Sequence, residues 1–229
     1  MRTRPNGFTL VEMAVVLVII GLLLAGLMMP LSAQVDQRRI DETRKALEEI
    51  NQALLGYAVA NEHLPCPDLT GAGAGTANDG LEDVAAGGAC VVQEGNVPWV
   101  TLGVAPQDAW NNRFHYAVTD IFSNRGPLAF FTLDSDGTLD VCSTAGCPGG
   151  TAIATAVPAV VLSYGRNGFG AINLGGVVNP APTDANELEN TDGDPDFISR
   201  TETATYDDLT MWLSPNTLMN RMVTAGRLP

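Results

Sequence analysis

A glutamate at the head of an otherwise uncharged apolar run is the first residue whose type and position ask for chemistry. Phe8–Val11 is apolar apart from Thr9, Met13 through Met29 carries no charge, and Glu12 stands between them. A carboxylate carried into hydrocarbon costs roughly 2.5–3.5 kcal/mol on insertion scales, so its presence calls for a cationic partner. Four cysteines follow: Cys66, Cys90, Cys142 and Cys147, all downstream of the run. An even number on the exported side of such a segment reads as two disulfides. A zinc site competes with that reading, but the chain has no Cys-x-x-Cys and only His63 and His115 as histidines. Three pairings are open. The closeness of Cys142 and Cys147, with Gly146 between them, suits a small closed loop and leaves Cys66 with Cys90.

The densest carboxylates are Asp192, Asp194 and Asp196 in Asp-Gly-Asp-Pro-Asp, with Glu187 and Glu189 just before. Alternate carboxylates around a turn can wrap oxygens about Ca²⁺, which takes six to eight of them. Glu189, Asp192, Asp194 and Asp196 are therefore candidate calcium ligands. Asp134–Asp140 repeats an Asp-x-Asp-Gly pattern without the bidentate glutamate of an EF-hand. For both segments a solvated acidic loop held by Asx turns is the simpler reading. Calcium is the one candidate ion, and no motif demands another cofactor. Gly-x-Ser-x-Gly, the phosphate loop and His-Glu-x-x-His do not occur, and two distant histidines do not furnish a triad. No catalytic residue is expected, and His115 reads as a strand residue.

The charge distribution narrows the partners. The 229-residue chain has a formal charge of −14. Up to Asn61 six basic residues balance six acidic ones, whereas from Glu62 onward six arginines face 20 carboxylates. A surface of that sign repels phosphate backbones and anionic head groups, so direct nucleic-acid binding is not expected.

The apolar segment needs a reading of its own. Phe8 through Met29 reaches the ~20 residues that span a hydrocarbon core, and Arg2 and Arg4 hold the short polar leader in the cytoplasm. An ordinary signal peptide has its small cleavage residue after the apolar core; here Gly7 precedes it. Gly7-Phe8-Thr9-Leu10-Val11-Glu12 resembles, at all six positions, the processing motif of type IV prepilins and type II secretion pseudopilins. The resemblance implies cleavage between Gly7 and Phe8 by a membrane-embedded aspartyl prepilin peptidase, and N-methylation of Phe8. It also implies that Glu12 pairs with the terminal amine of a neighbouring subunit. In an apolar fibre axis each charge then offsets the other's desolvation, and an unpaired one is strongly unfavourable.

Four segments result: a cleaved leader over 1–7, a transmembrane and polymerisation helix over 8–30, its amphipathic continuation over 31–62, and an extracytoplasmic headpiece over 63–229. Ile40, Leu47, Ile50, Leu54 and Tyr57 line one helical face. Pro30 removes a backbone donor and is expected to kink or locally melt the helix, as the resemblance also implies, and Leu64-Pro65-Cys66-Pro67 ends it. Thr70–Gly80 and Ala85–Gly88 read as loop. Asp108-Ala109-Trp110-Asn111-Asn112 resembles a pseudopilin turn signature, with Ala109 and Asn111 departing from its Pro and Gly; Asn tolerates the left-handed turn. Strands are expected at Arg113–Val118, with Phe114, Tyr116 and Val118 inward, and at Ala129–Leu133, Leu139–Cys142, Ala159–Tyr164 and Tyr206–Leu213. After these, Ser214 caps a last helix with Pro215 at its first position, Leu218, Met222 and Val223 on one face, and Gly226 as its stop. The expected fold is α+β, a long helix on a small antiparallel sheet.

The expected role is a non-enzymatic filament subunit, a minor pilin or pseudopilin in preference to a major pilin because the headpiece is long and acidic. Its partners by resemblance are homologous subunits, the prepilin peptidase, an inner-membrane assembly platform with its ATPase, and lipid before assembly. Its location is the inner membrane with the headpiece in the periplasm, then the filament. The alternative is a tip module for binding or adhesion with calcium-dependent folding.

Overall fold

The computed structural model describes residues 7–69, 78–125, 131–147 and 151–228, with residues 24–32 described in their backbone only. The chain divides into two units, Met1–Asp41 and Glu42–Pro229. Helix α1, Leu10–Asn61, begins in the first and ends in the second.

In the first unit the helix from Met13 to Leu23 has no polar side chain on any face. Leu10, Val11, Leu17 and Leu22 are all more than 60% exposed. The helical backbone runs on through Pro30, so local melting at the proline is not seen. Among the described residues no helix is long and apolar enough to cross a membrane; the apolar run continues in sequence to Met29, into side chains outside the described set.

In the second unit α1 is amphipathic. Thr43, Leu47, Ile50, Leu54, Leu55 and Ala58 are buried while Arg44, Lys45, Glu48, Glu49 and Gln52 are exposed. Ile40 and Tyr57, expected on the same face, are only half-buried. The helix stops where Glu62 turns left-handed, φ 68°, with its N–H on the carbonyl of Ala58. The Tyr57 hydroxyl and the backbone N–H of Cys66 both donate to Glu82, which also pairs with Arg125. That carboxylate ties the helix end to the loop closed by Cys66–Cys90, whose Cα atoms lie 5.2 Å apart.

The remaining elements, in chain order, are β1 (Glu94–Asn96), α2 (Trp99–Leu102), β2 (His115–Val118), α3 (Asp120–Ser123), β3 (Leu139–Cys142), β4 (Ala152–Val157), β5 (Ala159–Ser163), α4 (Ala185–Glu189), β6 (Asp196–Ile198), β7 (Leu209–Leu213) and α5 (Pro215–Thr224). They form two sheets. The first is antiparallel in the order β1-β2-β5-β7; the second has the order β4-β3-β6, with β3 and β6 parallel. The α+β arrangement with an N-terminal helix stands, but the single antiparallel sheet does not. All five residues of β5 are buried because both faces of the strand are covered. Val160 and Leu162, with Ala117 of β2, pack on Leu139, Val141, Val157 and Phe197 of the second sheet. On the other side lies α1: Asn51 donates to the carbonyl of Trp212, and the Thr43 hydroxyl accepts from the N–H of Ala109. Ala117, expected on a polar face, is buried for this reason.

Three strands escaped the sequence pattern: β1, the largely exposed edge strand β4, and β6 inside the acidic segment. The strand expected at Ala129–Leu133 is not formed over Phe131–Leu133, and residues 129–130 lie outside the described set. Most of the loop expected at Thr70–Gly80 also lies outside it. The turn before β2 is left-handed at Asn111, φ 68°, with the Asp108 carboxylate accepting the N–H of Trp110 and of Asn112. Helix α5 begins at Ser214-Pro215, but Ser214 makes no side-chain cap bond. It closes in a Schellman arrangement, the N–H of Arg227 on Met222 and that of Gly226 on Val223. Leu218 and Met222 are buried, whereas Val223 points to solvent.

Candidate functional site

Gly7, Phe8 and Thr9 precede the first turn of α1 and are exposed. Thr9 and Glu12 form a reciprocal cap. The Thr9 N–H and hydroxyl donate to the Glu12 carboxylate at 2.8 and 2.9 Å, and the Glu12 N–H returns to the Thr9 hydroxyl at 3.3 Å. This is a capping box, Thr-x-x-Glu, which satisfies orphan donors of a helix start. The helix accordingly starts at Leu10, two residues later than the expected boundary. Glu12 therefore lies exposed at the helix mouth, beside Phe8 at 83% exposure. Chemically the segment presents a Gly–Phe peptide bond between exposed residues, a carboxylate within the first turn, and exposed apolar side chains.

The four cysteines pair as Cys66–Cys90 and Cys142–Cys147. The shorter loop is held against α4, since the N–H of Ala145 donates to Asn186 and that of Gly146 to Glu189.

Carboxylates gather in two places. Glu189, Asp194 and Asp196 bring one oxygen each within 4.8 Å of one another. Asp192, expected with them, is not part of this group; its Oδ1 accepts the N–H of Asp194, as Asp194 accepts that of Asp196. The loop is therefore built on Asx turns. The parallel pairing of β3 with β6 sets Asp140 opposite Asp196, so the two acidic segments separated in sequence share one face. Asp134 and Asp136 join no such cluster among the described residues. Partial burial and then the neighbouring carboxylates push Asp196 up from its ordinary value.

The second gathering, Glu187, Asp207 and Asp208, was not foreseen. Glu187 and Asp208 are both 2% exposed. Glu187 accepts from Asn167 Nδ2 at 2.7 Å, and Asp208 from Asn190 Nδ2 at 2.7 Å. Burial pushes Asp208 well above its ordinary value and Asp207 up to about 6. The available signal was the Asp207-Asp208 pair within an apolar strand start. His115 packs between Tyr164 and Phe197 with Nε2 3.7 Å from Glu94.

Among known proteins, residues 2–28 match the family model described as a prokaryotic N-terminal methylation motif. No curated protein and no solved structure matches the chain.

Proposed function

We propose, from the N-terminal methylation motif carried at residues 2–28, that this chain is a structural subunit of a type IV pilus or a type II secretion filament. The motif is the processing signal of type IV prepilins and pseudopilins and marks a subunit cut by the prepilin peptidase and assembled with others of its kind. In this reading cleavage falls between Gly7 and Phe8, Phe8 is N-methylated, and α1 spans the inner membrane until an assembly platform draws the subunit into the filament. A kink at Pro30 lets the helix adjust on that transfer. A minor rather than a major subunit fits the long acidic headpiece. The observation that carries the reading is Glu12, exposed in the first turn of α1, at the head of its apolar run and five residues after Gly7. A carboxylate there finds its best partner in a neighbour's amine once both are buried. Glu12→Ala should leave processing and membrane insertion intact while subunit in sheared filaments drops at least tenfold. Unchanged incorporation, or a mature chain that still carries residues 1–7 by mass spectrometry, overturns it.

A second reading, a tip module whose folding depends on calcium, is favoured by the convergence of Glu189, Asp194 and Asp196. Calcium should then raise the melting temperature of the chain over that in chelator. Identical melting in the two rejects it.

A further inference from the structure

We propose that Arg38 and Arg39 on α1 of one copy of this chain seat in an acidic groove of the next copy, between α3 and the paired strands β3 and β6. The inference rests on the filament reading above and names a contact that would set neighbouring subunits in register.

The groove lies wholly within the second unit and has a volume of about 520 Å³. The end of β2 and the start of α3 form one wall; the residues leading into β3 and β6 form the other. Val118, Leu139 and Pro195 give it an apolar lining, Glu94, Asp120 and Asp136 a charged one, and no described lining residue is basic. In the same two acidic segments Asp134, Asp192 and Asp194 are exposed as well, so the surroundings carry one sign. The walls are tied before anything docks. The N–H of Thr138 donates across to the Thr119 hydroxyl at 3.0 Å, and Gln93 Nε2 holds Asp120 at 3.1 Å. Little ordering entropy is left to lose on this side of the contact.

An apolar lining under a carboxylate rim is the complement of an arginine side chain, whose aliphatic stem packs while its planar fork takes carboxylates. Most of the chain's cations are already engaged. Arg44 pairs with Glu202, Lys45 with Glu49, Arg125 with Glu82 and Arg227 with Glu62, while Arg113 lies over the Trp99 ring. Arg38 and Arg39 are different. They are adjacent and exposed on α1, and among the described residues neither has a hydrogen bond or an ion pair.

Charge complementarity selects a second copy as the occupant. Arg38 and Arg39 are the first basic residues after Gly7, so every processed subunit brings the pair at the same height of its helix. Headpieces of like strong charge repel each other, and a doubled cation entering a carboxylate groove turns part of that repulsion into attraction. The arginine pair and the groove are different surfaces of one molecule, so the contact is head-to-tail and propagates instead of closing.

The test uses the full-length chain, overproduced with its assembly machinery so that copies adjoin in the filament. Arg38→Glu with Arg39→Glu should leave processing and membrane insertion as in the wild type and lower the subunit in sheared filaments roughly tenfold. Asp120→Arg with Asp136→Arg, both at exposed positions, should do the same without changing the melting of the chain in detergent. The four changes together should restore incorporation, which a merely structural role for either pair would not allow. Arg39→Cys combined with Asp136→Cys should give, on oxidation of filaments, a ladder of cross-linked dimers, trimers and higher species, with each single variant monomeric. Wild-type incorporation of either reversed pair, no recovery in the fourfold variant, or no ladder from the double cysteine overturns the docking while leaving the filament reading in place. Loss of insertion in Arg38→Glu with Arg39→Glu assigns the pair to lipid head groups and overturns it too. Absence of the wild-type chain from filaments overturns both readings.

Discussion

At the scale of single residues, Glu12 holds two roles that can be separated. In the isolated chain its carboxylate closes the capping box with Thr9; in the proposed filament it meets a neighbour's amine. The cap is a local matter, since losing a Thr at an N-cap costs about 1 kcal/mol. The intermolecular pair is different in kind, because removing one partner leaves a charge buried without compensation. Thr9→Ala should therefore fray the first turn yet leave filament incorporation within about threefold of wild type, a factor that corresponds to well under 1 kcal/mol. Glu12→Ala loses both. Quantifying each variant in the membrane pool and in sheared filaments decides the matter, and equal losses for the two would mean that the cap, not the pairing, is what assembly needs.

At the scale of elements, legibility followed how much of an element's burial is set by its own residues. Leu47, Ile50 and Leu54 repeat at helical spacing, and the second half of α1 follows from them; Thr43 and Ala58 complete the buried face but are too small or polar to announce it. Helix α5 was readable from Ser214-Pro215 and Gly226 because caps and stops are local, whereas the burial of Met222 and exposure of Val223 depend on the angle at which the helix lands. Strand β2 was visible but its back face was misjudged, since Ala117 is buried by a second sheet that no local pattern reveals. β4 was missed because it is a largely exposed edge strand, half of it alanine, whose pairing comes from β3. β6 lay hidden in the carboxylates around Asp196. The candidate site divides the same way. The Gly7–Glu12 segment is contiguous and could be read outright. Glu187 lies 20 residues from Asp207 in sequence, and only the folding of α4 against the start of β7 brings them together.

At the scale of the whole molecule, the excess of carboxylates makes the headpiece a pH-dependent object. Asp68 and Asp207 are each pushed up to about 6, and Asp208 is pushed well above its ordinary value, with burial as the leading cause in all three. An unfolded aspartate titrates near 3.9. Across the interval the folded chain binds more protons than the unfolded one, so these groups favour folding below about pH 4 and weaken it as pH rises through about 6. Asp184 runs the other way, lowered by the Thr205 hydroxyl, but it is solvated and screened. Asp208 has the most to lose. Its carboxylate faces Glu187 and Asp207, with Asp184 adding to the same field. The full chain in detergent should therefore melt higher at pH 4.5 than at pH 7.5. Asp208→Asn, which keeps the shape and drops the charge, should raise the melting temperature at pH 7.5 and change it little at pH 4.5. The comparison distinguishes a proton from a metal as the partner of these buried acids. If the substitution instead destabilises the chain at pH 7.5, and chelator lowers wild-type melting to the same degree, the three carboxylates hold a cation and the proton account is wrong.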